Sequence, residues 1–283
     1  MSSPQGRGQG ARPLASRWIT ADVTDFASVH RMVEETRPSV VFHLASVVNL
    51  ERSPEVARAC FAVNTLGTIH LLQALRQLQT LRVVYASTTE VYGDNPTPFQ
   101  EGQLPNPPSP YAVSKLAAEH FCRLAWRVDG VPAVVARMTA TYGPGQASHR
   151  LITSLIRAAL TQQPLEVSHA GQQRDWLYVD DAVDGLLAVA RCPLAVGEVV
   201  NLGSTILMST RELGARIERL LDTAIPVTWH EAPQRAGEAE VWSTDASRAR
   251  DWCGWTPRYS LDEGLRETIA WHQAHLSQDA RTR

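Results

Sequence analysis

Lysine is almost absent from this chain. Of its 27 basic residues in 283, one is lysine, Lys115. The surface evidently accepts arginine throughout. Either Lys115 holds a place where a compact ammonium cannot be exchanged for a planar guanidinium, or it is a survivor of arginine-biased composition. Charge of one sign is not in excess either. The net charge of −2 provides no basic field for nucleic acid or an anionic membrane. No apolar run approaches the roughly 20 residues that span a bilayer. The longest, residues 39–50, is broken by His43. The four cysteines are scattered with no Cys-x-x-Cys pair, so neither a zinc site nor a disulfide framework is indicated, and a reducing compartment fits. The first residues, Met-Ser-Ser-Pro-Gln-Gly-Arg, have no apolar signal core. A soluble cytoplasmic protein, with no metal, no nucleic acid and no membrane among its partners, is the expectation.

With 44% apolar and 20% charged residues the composition is that of a globular protein. Residues 1–16, rich in Gly, Pro, Ser and Arg, predict a disordered lead-in. Residues 18–21 predict a short strand and 26–35 a helix. Residues 39–45 form a continuous apolar run, as in a strand buried on both faces. Helical spacing follows over 54–79, a second buried strand over 81–86, a Pro-rich loop over 95–110, an amphipathic helix over 111–128 and a strand over 131–138. Strands alternating with helices imply βαβ units and a parallel sheet. In the second half, helices are predicted at 151–160, 180–191, 210–222 and 260–275, and strands at 165–167, 198–202 and 225–230. Six of the eight tryptophans lie at or after Trp176, which suggests a second apolar layer. The expected domains are 17–145 with 175–203 for a dinucleotide, and 146–174 with 204–275 for a substrate, before a frayed tail at 276–283.

Chemistry concentrates at Tyr111-Ala-Val-Ser-Lys115. Positions i and i+4 share a helix face. A tyrosine, with a reference pKa near 10, is a poor base at neutral pH. A nearby ammonium and a cationic nicotinamide ring favour its phenolate. Tyrosine can then take a hydroxyl proton while hydride leaves the same carbon. Thr88, at a neighbouring strand end, suits the task of holding that hydroxyl. The alternative is an exposed helical pair without function.

The ordered motifs resemble the extended short-chain dehydrogenases, and within them the NAD-dependent epimerase/dehydratase group acting on nucleotide sugars. They are Asp22-Val-Thr-Asp25, Val41-Phe-His-Leu-Ala-Ser46, Asn64, Ala86-Ser-Thr-Thr-Glu-Val-Tyr-Gly93, Ser109-Pro-Tyr-Ala-Val-Ser-Lys115 and Arg137 with Tyr142-Gly-Pro-Gly145. The match continues through Gln173-Arg-Asp-Trp-Leu-Tyr-Val-Asp180, Val200-Asn-Leu-Gly203, Arg235-Ala-Gly-Glu238 and Gly254-Trp-Thr-Pro257. The resemblance implies a doubly wound parallel Rossmann-type α/β sheet, truncated at its N-terminal end, with a smaller C-terminal α/β substrate domain. It implies that Asp22 and Val23 meet the adenine of NAD, Ala45 and Ser46 line the pyrophosphate, and Asn64 supports the site. Thr88 would hold the reacting hydroxyl, Tyr111 act as base and Lys115 bind the nicotinamide ribose. Thr89, Arg174 and Arg235 fall to the substrate, the arginines to its diphosphate, a role their fork suits. Taken singly, either arginine reads more readily as a surface ion pair. A homodimer through helices 54–79 and 111–128 is implied in the same way.

Three departures bear on function. The family's opening strand, glycine-rich turn, helix and second strand have no counterpart, since Gly6-Arg-Gly-Gln-Gly10 follows no strand and precedes no helix. Two expectations follow: a longer protein whose start lies upstream, or a non-catalytic remnant that binds sugar nucleotide. Next, Thr88 and Glu90, two apart on a predicted strand, would face the same way. Thr-x-Glu resembles sugar 4,6-dehydratases and decarboxylases, in which the glutamate serves the carbon beside the ketone. The acid that glucose dehydratases place between them is Thr89 here. The segments Arg235-Ala-Gly-Glu238 and 245–257 look more like 4-epimerases, for which Thr88, Tyr111 and Lys115 suffice. Glu90 would then be a structural carboxylate. The expected function is an NDP-sugar 4-epimerase working through a 4-keto intermediate. A 4,6-dehydratase or decarboxylase using Glu90 is the alternative. A steroid or flavonol dehydrogenase would share Tyr111 and Lys115 but would not need Arg174 and Arg235. Finally, Ala140 stands where an asparagine often helps hold the diphosphate, which leaves the sugar open.

Overall fold

A computed structural model describes residues 17–231 and 236–279. In chain order its elements begin with α1 (Phe26–Thr36), β1 (Val40–His43) and α2 (Pro54–Cys60). A π-helical turn (Phe61–Leu66) leads into α3 (Gly67–Leu75), and β2 (Arg82–Thr88) ends in a 3-10 turn (Thr89–Tyr92). Next come α4 (Pro110–Asp129), β3 (Ala133–Met138), β4 (Ala140–Tyr142), α5 (Leu151–Thr161), β5 (Leu165–Ser168) and β6 (Gln173–Tyr178). The remainder comprises α6 (Val179–Arg191), β7 (Val199–Leu202), β8 (Leu207–Ser209), α7 (Thr210–Leu221), β9 (Val227–His230), β10 (Val241–Trp242), α8 (Ser247–Cys253) and α9 (Leu261–Asp279).

The main sheet runs β1-β2-β3-β7, all parallel. β-branched and small residues, Val83, Val84, Val134, Val135 and Val200, fill its middle because each face meets helices. Alternation divides them. Val83, Tyr85 and Val135 pack with Val29 and Val33 of α1, Leu71 and Leu75 of α3, and Ala118 and Cys122 of α4. On the opposite face Val84, Val134 and Val200 pack with Leu186 and Val189 of α6 and Ala249 of α8. A separate core gathers Ile152, Leu155 and Ile156 of α5, Leu213 and Ile217 of α7, Leu265 and Ile269 of α9, and Trp176 and Tyr178 of β6. Since β6 gives Leu177 to the sheet's core and its neighbours to the other, this one strand joins the two.

Helix ends follow local chemistry. Ser109 caps α4 by accepting from Ala112 N, with Pro110 as the first helical residue, and Gly130 closes the helix in the left-handed region. Ser209 and Glu212 form a capping box on α7.

Several expectations are corrected. Residues 18–21 are not a strand, and Trp18 is exposed, because no described strand lies beside them to pair. The strand expected over 39–45 is shorter and forms the edge of the described sheet. Only its inner face is covered. His43 is buried, whereas Val40, Phe42 and Leu44 are exposed. The helix over 54–79 changes to π geometry in its middle. The short strands β4, β6, β8 and β10 and helix α8 were not foreseen. They lack a period long enough to register; the strands form by pairing around β6, and α8 forms by packing against α6 over the main sheet. Helix α9 continues to Asp279, past the expected start of the tail. The expected lead-in, 1–16, lies outside the described residues.

Candidate active site

The C-terminal ends of β2 and β3 open into a cavity of about 680 Å³, with α5, β5 and β6 on its far side. Thr88, Thr89, Glu90, Tyr111, Arg174 and Trp242 all line it. Thr88 is the last residue of β2. There the strand gives way to a 3-10 turn, in which the Glu90 N–H donates to Thr88 Oγ1 at 3.2 Å. The strand alternation expected to align Thr88 with Glu90 therefore does not exist. Both reach the cavity because the chain turns between them, and Thr89 lines it too, its hydroxyl donating to Met138 O at 3.5 Å. Gly93 closes the turn at φ 62°, and a Cβ there would meet Asn106 O at 1.9 Å, so only glycine fits.

Tyr111 lies in the first turn of α4, buried at 7% exposure, and hydrogen-bonds to Thr88. Burial pushes its phenol up to about 12, a rise that the Thr88 bond opposes. One turn on, Lys115 is buried at 2%, its Nζ 4.3 Å above the Tyr85 ring. Burial brings its ammonium down to about 8, with the Glu119 carboxylate pulling the other way. No described residue hydrogen-bonds to Nζ, so its donors remain available. His43, on β1, is held down to about 4 by burial first and by Lys115 second, and is neutral at physiological pH.

Asn64 occupies the π turn and ties three segments together. Its Oδ1 accepts from Ser46 Oγ at 3.0 Å and Val47 N at 2.8 Å, and its Nδ2 donates to Val47 O at 3.0 Å and Ser114 Oγ at 2.9 Å. The wider π turn is a form that recurs at functional sites. Here it aims a buried amide between the loop after β1 and α4, beside Lys115.

Arg174, on β6, is held on three sides. Its Nη1 lies 3.3 Å from Glu90 Oε1, its Nε and Nη2 donate to Gln172 Oε1, and its guanidinium sits 5.1 Å from the Trp242 ring centre. Glu90, Thr88, Tyr111 and Arg174 are thus brought together. Asp22 and Val23 are not part of this cavity. The Asp22 carboxylate accepts from the N–H and hydroxyl of Thr24 ahead of α1, and Val23 packs against Gly67. Ala45 is exposed and Ser46 half-buried on the loop after β1. Arg235 lies outside the described residues.

Arg150 was missed by sequence reasoning. It is the N-cap residue of α5, lines the cavity, and its charge favours the Tyr111 phenolate. No motif marks it, because only the fold of the second core brings α5 here. Glu119 was also passed over, although a signal was present. It stands eight residues after Tyr111 and four after Lys115, on the same helix face.

Comparison with known proteins now adds to this geometry. Residues 9–268 match the family model described as GDP-mannose 4,6 dehydratase. A probable dTDP-glucose 4,6-dehydratase of Sinorhizobium fredii is 31% identical over 274 residues, covering 90% of this chain and 78% of that protein. The UDP-glucuronic acid 4-epimerase of Bacillus cereus, solved with UDP-glucuronic acid and NAD, superposes with a TM-score of 0.82 at 26% identity, covering 89% of this chain and 80% of that one. The UDP-glucose 4-epimerase of Thermus thermophilus, solved with NAD, gives 0.81 at 28% identity, with 89% and 83% covered.

Proposed function

The chain belongs to the extended short-chain dehydrogenase/reductase family of NAD-dependent nucleotide-sugar epimerases and dehydratases, and on that premise we propose that it is a 4-epimerase of a nucleoside-diphosphate sugar. The observation that carries this reading is the Glu90–Arg174 ion pair beside a complete Thr88–Tyr111–Lys115 set. Elimination across C5 and C6 needs a base for the C5 proton and an acid for the departing hydroxyl. One Glu90 carboxylate oxygen lies against the Arg174 guanidinium at 3.3 Å, so it faces a cation rather than a C5 proton. The residue between Thr88 and Glu90 is a threonine, whose hydroxyl is no acid at neutral pH. Epimerisation at C4 asks for neither.

The site fits the nicotinamide riboside end of NAD, through a buried ammonium with unused donors at Lys115 and through the loop that Asn64 holds at Ser46. Among the described residues no strand–glycine turn–helix unit faces the pyrophosphate. Bound there, NAD would supply a reversible hydride acceptor for C4. Tyr111 removes the proton of the C4 hydroxyl while Thr88 holds the oxygen by a hydrogen bond. After the keto sugar turns its other face, Tyr111 returns the proton. Arg150, the N-cap residue of α5, supplies positive charge for a diphosphate, and Arg174 joins it there only by leaving Glu90. The buried supports of Tyr111 and Lys115 favour turnover over a purely binding role. The identity to dTDP-glucose 4,6-dehydratases favours the second reading, elimination through Glu90.

Incubation with NAD and UDP-glucose, UDP-glucuronate or dTDP-glucose in deuterated water distinguishes the readings. We expect inversion at C4 with no deuterium at C5. A 4-keto-6-deoxy product carrying deuterium at C5 would establish the dehydratase instead.

We also propose a homodimer through α2, the π turn and α4. Phe61, Leu66, Val113, Phe121 and Leu124 are exposed on these elements and offer apolar side chains to a partner. A Phe121→Glu variant should sediment as a monomer. A native protein that already sediments as a monomer would remove the dimer.

A further inference from the structure

Beneath the catalytic pair lies a buried charged cluster that the reaction does not touch. Glu119 and Arg137 are exposed by only 2% and 3%. Arg137, on β3, grips the Glu119 carboxylate through Nε at 3.0 Å to Oε1 and Nη2 at 2.7 Å to Oε2. The Ser87 hydroxyl donates to the same Oε1. Ser87 immediately precedes Thr88 and lies beside Arg137 in the strand register. The Arg137 guanidinium stacks 4.6 Å from the centre of the Tyr92 ring, whose hydroxyl donates to Asn201 Oδ1 at 2.7 Å. A buried ion pair is weak evidence for stability, since desolvation offsets most of its attraction. This pair has another consequence in reach, because Tyr111, Lys115 and Glu119 occupy one face of α4 at successive turns.

We propose that Glu119, fixed by Ser87 and Arg137, is a positioning residue that keeps Lys115 an ammonium beside the catalytic phenol. The claim deepens the epimerase reading, in which Lys115 works as a cation. Groups on β1, β2, β3 and α4 surround Lys115. His43 faces it from β1 and is neutral at physiological pH, and Tyr85 lies beneath it on β2. From α4 itself come Tyr111, Cys122 and Glu119, and burial holds the Cys122 thiol protonated. Arg137, from β3, is spent on Glu119. Glu119 is thus the carboxylate that offsets the cost of burying the ammonium. The bond from Ser87 lets the same carboxylate set α4 against the strand end that carries Thr88.

The composition supplies the test. With one lysine in the chain, 15N-lysine labelling yields one side-chain ammonium or amine resonance, whose titration reads Lys115 in the intact protein. The wild-type midpoint should lie near 8. Glu119→Gln should lower it by about one pH unit or more, and Glu119→Asp should restore most of the loss. Because Glu119→Gln leaves Arg137 unpaired and can fail to fold, the charge-free pair Glu119→Leu with Arg137→Met serves as a second variant. It should show the same downward move. In turnover, the alkaline limb of kcat should follow the Lys115 midpoint while KM stays put. A midpoint that does not move in the folded variants would overturn the proposal. The titration needs neither substrate nor catalysis. A chain without epimerase activity would therefore leave the Glu119 assignment intact, and an indifferent Lys115 would leave the epimerase reading intact.

Discussion

Replacing Tyr111 by Phe is expected to lower kcat about a thousandfold, while binding of the sugar nucleotide changes little. The estimate is the middle of the range for loss of a positioned acid–base group. Phenylalanine keeps the ring that α4 buries and loses only the oxygen and its bond to Thr88. Packing is thus largely retained, and the loss falls on proton transfer. Calorimetric titration with UDP in parallel with kcat separates the two. A Tyr111→Phe enzyme within tenfold of wild type would mean that another group takes the C4 proton, and the mechanism would fall.

Arg137→Met should be the most destabilising single change near the site. It strands the Glu119 carboxylate in a buried position, and breaking a buried pair in this way costs about 3–5 kcal/mol. For a domain of this size that lowers Tm by on the order of 10 °C. Adding Glu119→Leu should recover most of the loss, since two apolar side chains in place of a buried pair are often neutral. Thermal unfolding of the two single variants and the double one measures the coupling directly. If Arg137→Met alone melts like wild type, the pair is solvated in solution, and the isolation of Lys115 from water must be reconsidered too.

The chain's own letters were enough for the parallel sheet. Runs such as Val83–Val84 and Val134–Val135 have no polar face, which only a strand covered on both sides tolerates. They were enough, too, for Tyr111 and Lys115, since helical spacing is a local property that a lone lysine makes conspicuous. What the letters misjudged depended on neighbours. Residues 39–45 have the composition of a central strand, yet β1 lies at the edge of the sheet that the described residues form, because burial belongs to the sheet and not to the segment. Thr88 and Glu90 were assigned a shared direction by a strand period that the 3-10 turn ends at Thr88.

Tertiary structure alone decided the rest. Arg150, Arg174 and Glu90 are separated by 24 to 84 positions in sequence, and the packing of α5, β5 and β6 over the sheet brings them to one cavity. Glu119 shares a predicted helix face with Lys115 and Arg137 stands in a predicted strand, but nothing local in the sequence joins the two. Adjacent strands and a helix laid across them turn the two into a buried pair under Lys115. Sequence determines which groups are present and how they repeat along an element. Desolvation and charge partners arise only when distant elements close on one another, and burial, the larger of the two, moves Tyr111 up and Lys115 and His43 down.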